Sequence, residues 1–184
     1  WIGEMMIRWN IVFIIFIFFF FNDTATTEIY TLSYTTLFRS KNGLGYPAIL
    51  KANKLKNDFS LGFNNELITF KSMKVKHGKI NSIGYIVNNS AYISDCNKIS
   101  KSNIIKLKNL KYFIIDCLRF KSHPSHFSVN EVLSILKEIR PKQTILTNLH
   151  SDLDYNILLQ KVPINVKPAF DGLRLELWTL KKKY

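Results

Sequence analysis

Four histidines, His77, His123, His126 and His150, and two aspartates, Asp95 and Asp116, are the side chains best suited to chemistry in this sequence. Each falls at or just beyond the end of an apolar run that reads as a strand. Side chains at successive strand ends line one edge of a sheet, where imidazole nitrogens and carboxylate oxygens can converge on zinc or manganese. Spacing alone does not decide for a metal. There is no His-Glu-x-x-His, and no His pair stands four residues apart as on a helix face. A single histidine in such a position is more often a surface or hydrogen-bonded structural residue, so residue types and spacing leave the metal site a minority reading.

The elements that must position these residues can be read from periodicity. Leu67–Phe70 and Lys74–His77 read as short strands. Ile83–Val87 and Ala91–Asp95 are β-rich runs joined by Asn88-Asn89-Ser90, a hairpin signal. Tyr112–Ile115, followed by Asp116, is the continuous apolar run of a buried strand. The spacing predicts a helix over Ser128–Ile139: Ser128 and Glu131 have capping-box spacing, and Val132, Leu133, Leu136 and Ile139 share a face before Pro141 ends it. Gln143–Thr147 is the next strand. Asp152 and Asp154 stand at the start of a second helix, where carboxylates suit the dipole, and that helix runs to about Lys161, before Pro163. Asp171-Gly172 signals a turn into a strand over Leu173–Thr179. Strands come first, then strand–helix–strand–helix–strand: an α/β chain.

Composition narrows the function classes. Of 184 residues 47% are hydrophobic and 21% charged, with only seven glycines and five prolines, which excludes a disordered tail and a collagen-like chain. The net charge of +13 lies wholly beyond residue 40, where 21 lysines but only three arginines occur. A basic surface attracts nucleic acids or anionic membranes. Here the lysines are dispersed, arginine is scarce, and no RNA-binding strand or paired-Cys finger is present, so the excess reads as the Lys, Asn and Ile bias of an AT-rich genome. Cys96 and Cys117, the two cysteines, sit beside apolar runs and are expected to be reduced and buried in a cytoplasmic protein.

Residues 1–40 are set apart from the domain at 41–184. Residues 11–21 are an uninterrupted apolar run, short for a membrane span of about 20 residues. Asn22–Ser40 back-translates to a common sequencing-library adapter with one base lost between Ser33 and Tyr34, and Phe18–Phe21 is then a poly-T tract. These forty residues read as non-native and are excluded from fold reasoning, as a fusion scar would be. The competing reading is a genuine membrane anchor.

The local sequences from residue 43 to 178 carry a resemblance. Val75-Lys76-His77-Gly78, Ser82-Ile83-Gly84-Tyr85 and Tyr92-Ile93-Ser94-Asp95 come first. Ile114-Ile115-Asp116-Cys117-Leu118-Arg119 and His123-Pro124-Ser125-His126-Phe127-Ser128 follow. Last come Leu146-Thr147-Asn148-Leu149-His150-Ser151-Asp152-Leu153-Asp154-Tyr155 and Pro168-Ala169-Phe170-Asp171-Gly172. In this order they resemble the metallo-β-lactamase fold, in the branch close to phosphoribosyl 1,2-cyclic phosphate phosphodiesterase. The resemblance implies the C-terminal part of an αββα sandwich. It also implies a metal-dependent hydrolase that cleaves a small phosphorylated substrate, a (cyclic) phosphodiester, through a hydroxide held between two divalent ions, Zn or Mn. His77, Asp95 and His150 match metal ligands, with Asp95 bridging. His126 matches a histidine facing the substrate phosphate, catalytic as a proton or hydrogen-bond donor. Asp116 matches a residue orienting a ligand, and His123 belongs to the substrate loop or stabilises it. Asn148 stands where many relatives have His and is not counted as a ligand.

The family signature His-x-His-x-Asp-His, which supplies the larger share of the metal ligands, is missing, and no histidine precedes His77. The expectation is a chain with a truncated front end, an incomplete metal site, little hydrolase activity, and apolar faces that favour aggregation. No nucleic-acid or membrane partner is expected, and the oligomeric state is open. The rivals are a small basic membrane-anchored or nucleic-acid-binding protein, and a relative that kept the fold and lost the metals.

Overall fold

The computed structural model describes residues 58–63 and 66–177. The described residues form one mixed sheet whose strands lie side by side in chain order: β1 (Asp58–Phe63), β2 (Glu66–His77), β3 (Ile80–Val87), β4 (Ser90–Ile93), β5 (Tyr112–Asp116), β6 (Gln143–Thr147) and β7 (Val166–Pro168). β1 to β4 pair antiparallel, and β4 to β7 pair parallel. Helices α1 (Lys101–Lys106), α2 (Val129–Ile139) and α3 (Tyr155–Lys161) fill the three parallel crossovers. Consecutive right-handed crossovers between neighbouring strands put their helices on one face of a sheet. The expected α/β class therefore holds, as one sheet with one helix layer. Among the described residues there is one sheet, and the apolar run at 11–21 lies outside them. Among the described residues no helix is long and apolar enough to cross a membrane.

Alternation and register explain the layers. Met73 and Val75 on β2, Ala91 and Ile93 on β4, Phe113 and Ile115 on β5, and Leu146 on β6 share one core with Ile104 of α1, Val132 and Ile139 of α2 and Leu158 of α3. Each fully buried aliphatic side chain contributes about 1.5–3 kcal/mol relative to leaving it in water. Gly84 is needed here by close approach: a Cβ at that position would sit 2.8 Å from Ile93 Cγ1. The other sheet face is aromatic. Phe59 stacks on cross-strand Phe70 with centroids 5.1 Å apart, and Tyr85 meets Phe59 edge-on at 6.2 Å.

The helix signals work as the sequence suggests. Glu131 accepts the backbone N–H of Ser128 at 2.8 Å and also its hydroxyl, closing the N-terminus of α2. The helix ends on Arg140 in the left-handed region (φ +53°), just before Pro141. Asp154 caps α3 by accepting the N–H of Ile157 at 2.9 Å, while Asp152 stays outside the helix.

Several expectations are corrected. The two short strands at 67–70 and 74–77 are one strand, β2, because its pairing is unbroken: β1 pairs with it up to Lys71 and β3 from Phe70 to His77. β4 ends at Ile93, so Asp95 lies in the following loop. The turn at Asp171-Gly172 forms, but residues 173–177 are not a strand: the free edge of β6 is taken by β7 instead. Residues 178 and 179 of that expected strand lie outside the described residues. β1, β7 and α1 carry too little periodicity to be read in advance.

Candidate metal centre

Topology brings the chemistry to one edge. β3 runs antiparallel to both β2 and β4, so β2 points the same way as the parallel strands β4, β5 and β6. The C-terminal ends of all four therefore share an edge, the position where open α/β sheets bind ligands. His77 ends β2, Asp95 follows β4, Asp116 ends β5 and Asn148 follows β6. The β5–α2 connection, which carries His123 and His126, folds back over this edge. It is pinned there by Leu118 N to Phe127 O at 2.9 Å and by Val129 N to Arg119 O at 3.1 Å.

His77, Asp95 and His126 each offer a ligand atom within 4.8 Å of the others. His77 Nδ1 lies 2.9 Å from the carbonyl of Ser125. With Nδ1–H donating there, Nε2 carries the lone pair suited to a cation, the usual way a second partner fixes a ligating imidazole. The carbonyl is itself held in place. Asn97 accepts the N–H of Gly78 at 3.0 Å and donates to the carbonyl of Pro124 at 2.7 Å, tying the β2–β3 turn to the loop. Gly78 has φ +61°, and an added Cβ would lie 3.2 Å from Ser125 Cβ, so glycine serves both the turn and the close approach. Asp95 accepts the Ser94 hydroxyl on Oδ2 at 2.7 Å, which leaves Oδ1 for a ligand.

Behind this group lies a fully buried carboxylate. Asp116 Oδ2 is 2.9 Å from His126 Nδ1 and also accepts the N–H of Cys96 at 3.1 Å. Oδ1 accepts the Asn148 amide at 2.9 Å. Burial pushes the Asp116 carboxyl above its ordinary range, and hydrogen bonds from His126, Asn148 and Cys96 work against that. The His126 ring stands edge-on to His77 at 4.6 Å and tilted to His123 at 5.2 Å. Burial, then the charges of Asp95 and Asp116, push the Tyr92 phenol up to about 12. His123 is lowered by desolvation and then by the electrostatic effect of nearby His126 and Arg119.

Of the expected site residues, the structure brings His77, Asp95, His126, Asp116 and His123 together. His150 does not join the group of three: its half-exposed ring pairs with Asp152 at 3.2 Å. Asn148, set aside in the sequence, is in contact with both Asp116 and His126, the latter at 3.3 Å. Its place immediately after a strand was the available signal; the structure adds a left-handed φ of +59°. Two imidazoles and a carboxylate with spare donor atoms fit one divalent cation of the zinc or manganese kind. Among the described residues this is the single such group.

Comparisons with known proteins bear on the family and the fold. The family described as beta-lactamase superfamily domain matches residues 23–148. A solved diphosphatase of the PhnP family is 26% identical, with a TM-score of 0.65 over 71% of this chain and 51% of that one. The metallo-beta-lactamase fold protein YhfI from Bacillus subtilis aligns with a TM-score of 0.57 at 18% identity, over 70% of this chain and 56% of that one, and shares the fold. A protein named octanoyltransferase from Porphyromonas gingivalis is 27% identical over 140 residues, 74% of this chain and 28% of that protein. The chain thus spans about half the length of the diphosphatase and a smaller part of the octanoyltransferase.

Proposed function

Because the chain belongs to the beta-lactamase superfamily domain family, we propose that it is part of a metal-dependent hydrolase cleaving a small phosphate ester, a phosphodiester or cyclic phosphate, with Zn or Mn as cofactor. The observation that carries this reading is the convergence of His77, Asp95 and His126 to within 4.8 Å at the C-terminal edge of the sheet. Likeness to a diphosphatase supports phosphorus–oxygen chemistry over other members' substrates, since a shared fold alone does not choose among them.

A divalent cation at this site would polarise a phosphoryl oxygen and acidify water. The chain's own residues do the rest. Ser125 aims His77, and Ser94 holds one oxygen of Asp95, so both ligands are set before a cation arrives. His126, held at Nδ1 by Asp116, would present Nε2 as the third donor to the cation, and the buried carboxylate keeps that imidazole turned toward it. Asn148 and Cys96 N keep Asp116 turned toward His126. The two buried free thiols suit a reducing compartment, the cytoplasm in this reading.

The test is to recover the genomic sequence upstream of residue 41 and to assay its product beside the present chain on cyclic phosphates, thioesters and lactams. An upstream His-x-His-x-Asp-His and Zn- or Mn-dependent cleavage of the phosphodiester are expected, with the present chain nearly inactive. An upstream frame without histidines, and a product inert toward phosphodiesters, would identify a non-catalytic relative.

A further inference from the structure

The sheet edge opposite the metal centre gathers cations. There α1 leads into β5 and α2 into β6, and the two connections are locked side by side. Asn109 N donates to Ile139 O at 2.9 Å, Lys142 N to Leu110 O at 2.8 Å, and Gln143 N to Lys111 O at 3.1 Å. On one flank Lys111 N donates to Asn89 O at 2.7 Å, in the β3–β4 turn. On the other, Thr144 N donates to Asn165 O at 2.8 Å, just before β7. Basic residues that stand apart in the sequence thus meet: Lys108 and Lys111 on one connection, Arg140 and Lys142 on the other, all exposed. Lys106 and Lys137, in the last turns of α1 and α2, suit the negative helix ends. The other four lie beyond those ends. Among the described residues the ion pairs are those of His126 and His150, so no carboxylate matches any of the four. Glu138 is not paired with them, and Glu176 meets the Lys111 ammonium through its backbone carbonyl, at 2.9 Å.

Apolar side chains project from the same edge. Ile164, beside Asn165, is 95% exposed, and Ile105, in the last turn of α1, is 67% exposed. A lone exposed isoleucine is ordinary. Set beside unmatched cations, it suits a surface that is anionic outside and apolar beneath, as the headgroup and acyl boundary of a bilayer is.

We infer that this edge docks on an anionic lipid bilayer, with Lys108, Lys111, Arg140 and Lys142 against the headgroups and Ile164 entering the acyl boundary. The inference is independent of the hydrolase reading and reverses the expectation that the chain meets no membrane. The association is peripheral, since among the described residues no helix is long and apolar enough to cross. Nucleic acid suits the edge less. Three of the four cations are lysines, without the guanidinium fork, and the nearby ring of Tyr112 is half-buried with the Lys111 ammonium 4.9 Å from its centroid, not free for a base to stack on. Docked in this way, the chain turns its metal centre away from the bilayer.

The experiment sediments the full 184-residue chain with vesicles of phosphatidylcholine containing about one third phosphatidylserine, and with phosphatidylcholine alone. Beside it run the edge pair Lys108→Gln with Lys142→Gln, the variant Ile164→Ser, and the control pair Lys79→Gln with Lys121→Gln, whose lysines are exposed at the metal-centre edge. Wild-type chain is expected to bind the phosphatidylserine vesicles at least about tenfold more strongly than phosphatidylcholine. The edge pair should weaken that binding at least about tenfold, Ile164→Ser about threefold, and the control pair less than about twofold. Both pairs lose the same charge, so equal weakening would mean that net charge alone attracts the chain, and overturns the inference. The apolar run at 11–21 is common to all four proteins, so equal binding to both kinds of vesicle overturns it too, as does wild-type binding by Ile164→Ser. A single-stranded oligonucleotide is the second probe. If the edge pair loses affinity for it and keeps affinity for the vesicles, the edge belongs to nucleic acid and the lipid assignment falls.

Discussion

Asp116 Oδ2 lies 2.9 Å from His126 Nδ1, and the carboxylate that makes this contact is wholly shielded from solvent. The pairing fixes which nitrogen of His126 faces the ligand edge. It also makes Asp116 the hub joining β5, the β5–α2 loop, the β4–α1 loop through Cys96 N, and the end of β6 through Asn148.

That burial has a consequence for pH. Asp116 is raised above its ordinary value of 3.8, mainly by desolvation. The folded chain therefore holds this proton more tightly than the unfolded chain. The stability it contributes is complete below pH 3.8 and is lost as pH rises through the folded-state pKa. Asp116→Asn removes this dependence, so urea midpoints recorded upward from that pH should show the variant gaining on the wild type. Parallel curves would contradict the assignment. Asp116→Ala, which strands several donors together, should cost about 2–4 kcal/mol.

The thiols behave in the same direction at the other end of the scale. Burial, with Asp116 nearby, pushes Cys96 and Cys117 from 9.0 up to about 12. Both should resist a thiol reagent at pH 8 in the native chain and react fully in denaturant. Since their folded pKa values are raised, the stability they contribute is intact below pH 9.0 and is lost as pH rises toward about 12. The limiting slope is about 1.4 kcal/mol per pH unit for each thiol. Fast labelling of the native chain at pH 8 would show that they are not buried.

How much of this the sequence disclosed depends on how local each signal is. β6 reads correctly to its ends because the β-prone stretch Thr144-Ile145-Leu146-Thr147 stands between Pro141 and Asn148, and α2 because Ser128, Glu131 and Pro141 are all local signals. β7 is three residues long and contains a proline, and its strand character exists only through pairing with β6. The site divides the same way. His77 and Asp95 stand out by type and position, whereas the convergence of His126 with them follows from a loop folding back, which no spacing encodes. Asn148 stands where many relatives have His and does not read as a ligand, yet its contacts with Asp116 and His126 make it part of the polar network.

Gly84 offers a test of packing in the sheet. A methyl group there would press on Ile93 at 2.8 Å, in the middle of the core shared with the helices. Gly84→Ala should cost about 1–3 kcal/mol by overpacking. A thermal midpoint equal to that of the wild type would mean that β3 and β4 are farther apart than described.

The most direct measurement is calorimetric zinc uptake by the full chain, compared with His77→Ala, Asp95→Ala, His126→Ala and His150→Ala. The account predicts uptake of a single ion, abolished or strongly weakened in the first three variants and kept in His150→Ala, with no tight second ion. Uptake indifferent to His77→Ala and Asp95→Ala, or tight stoichiometric binding of two ions, would contradict it.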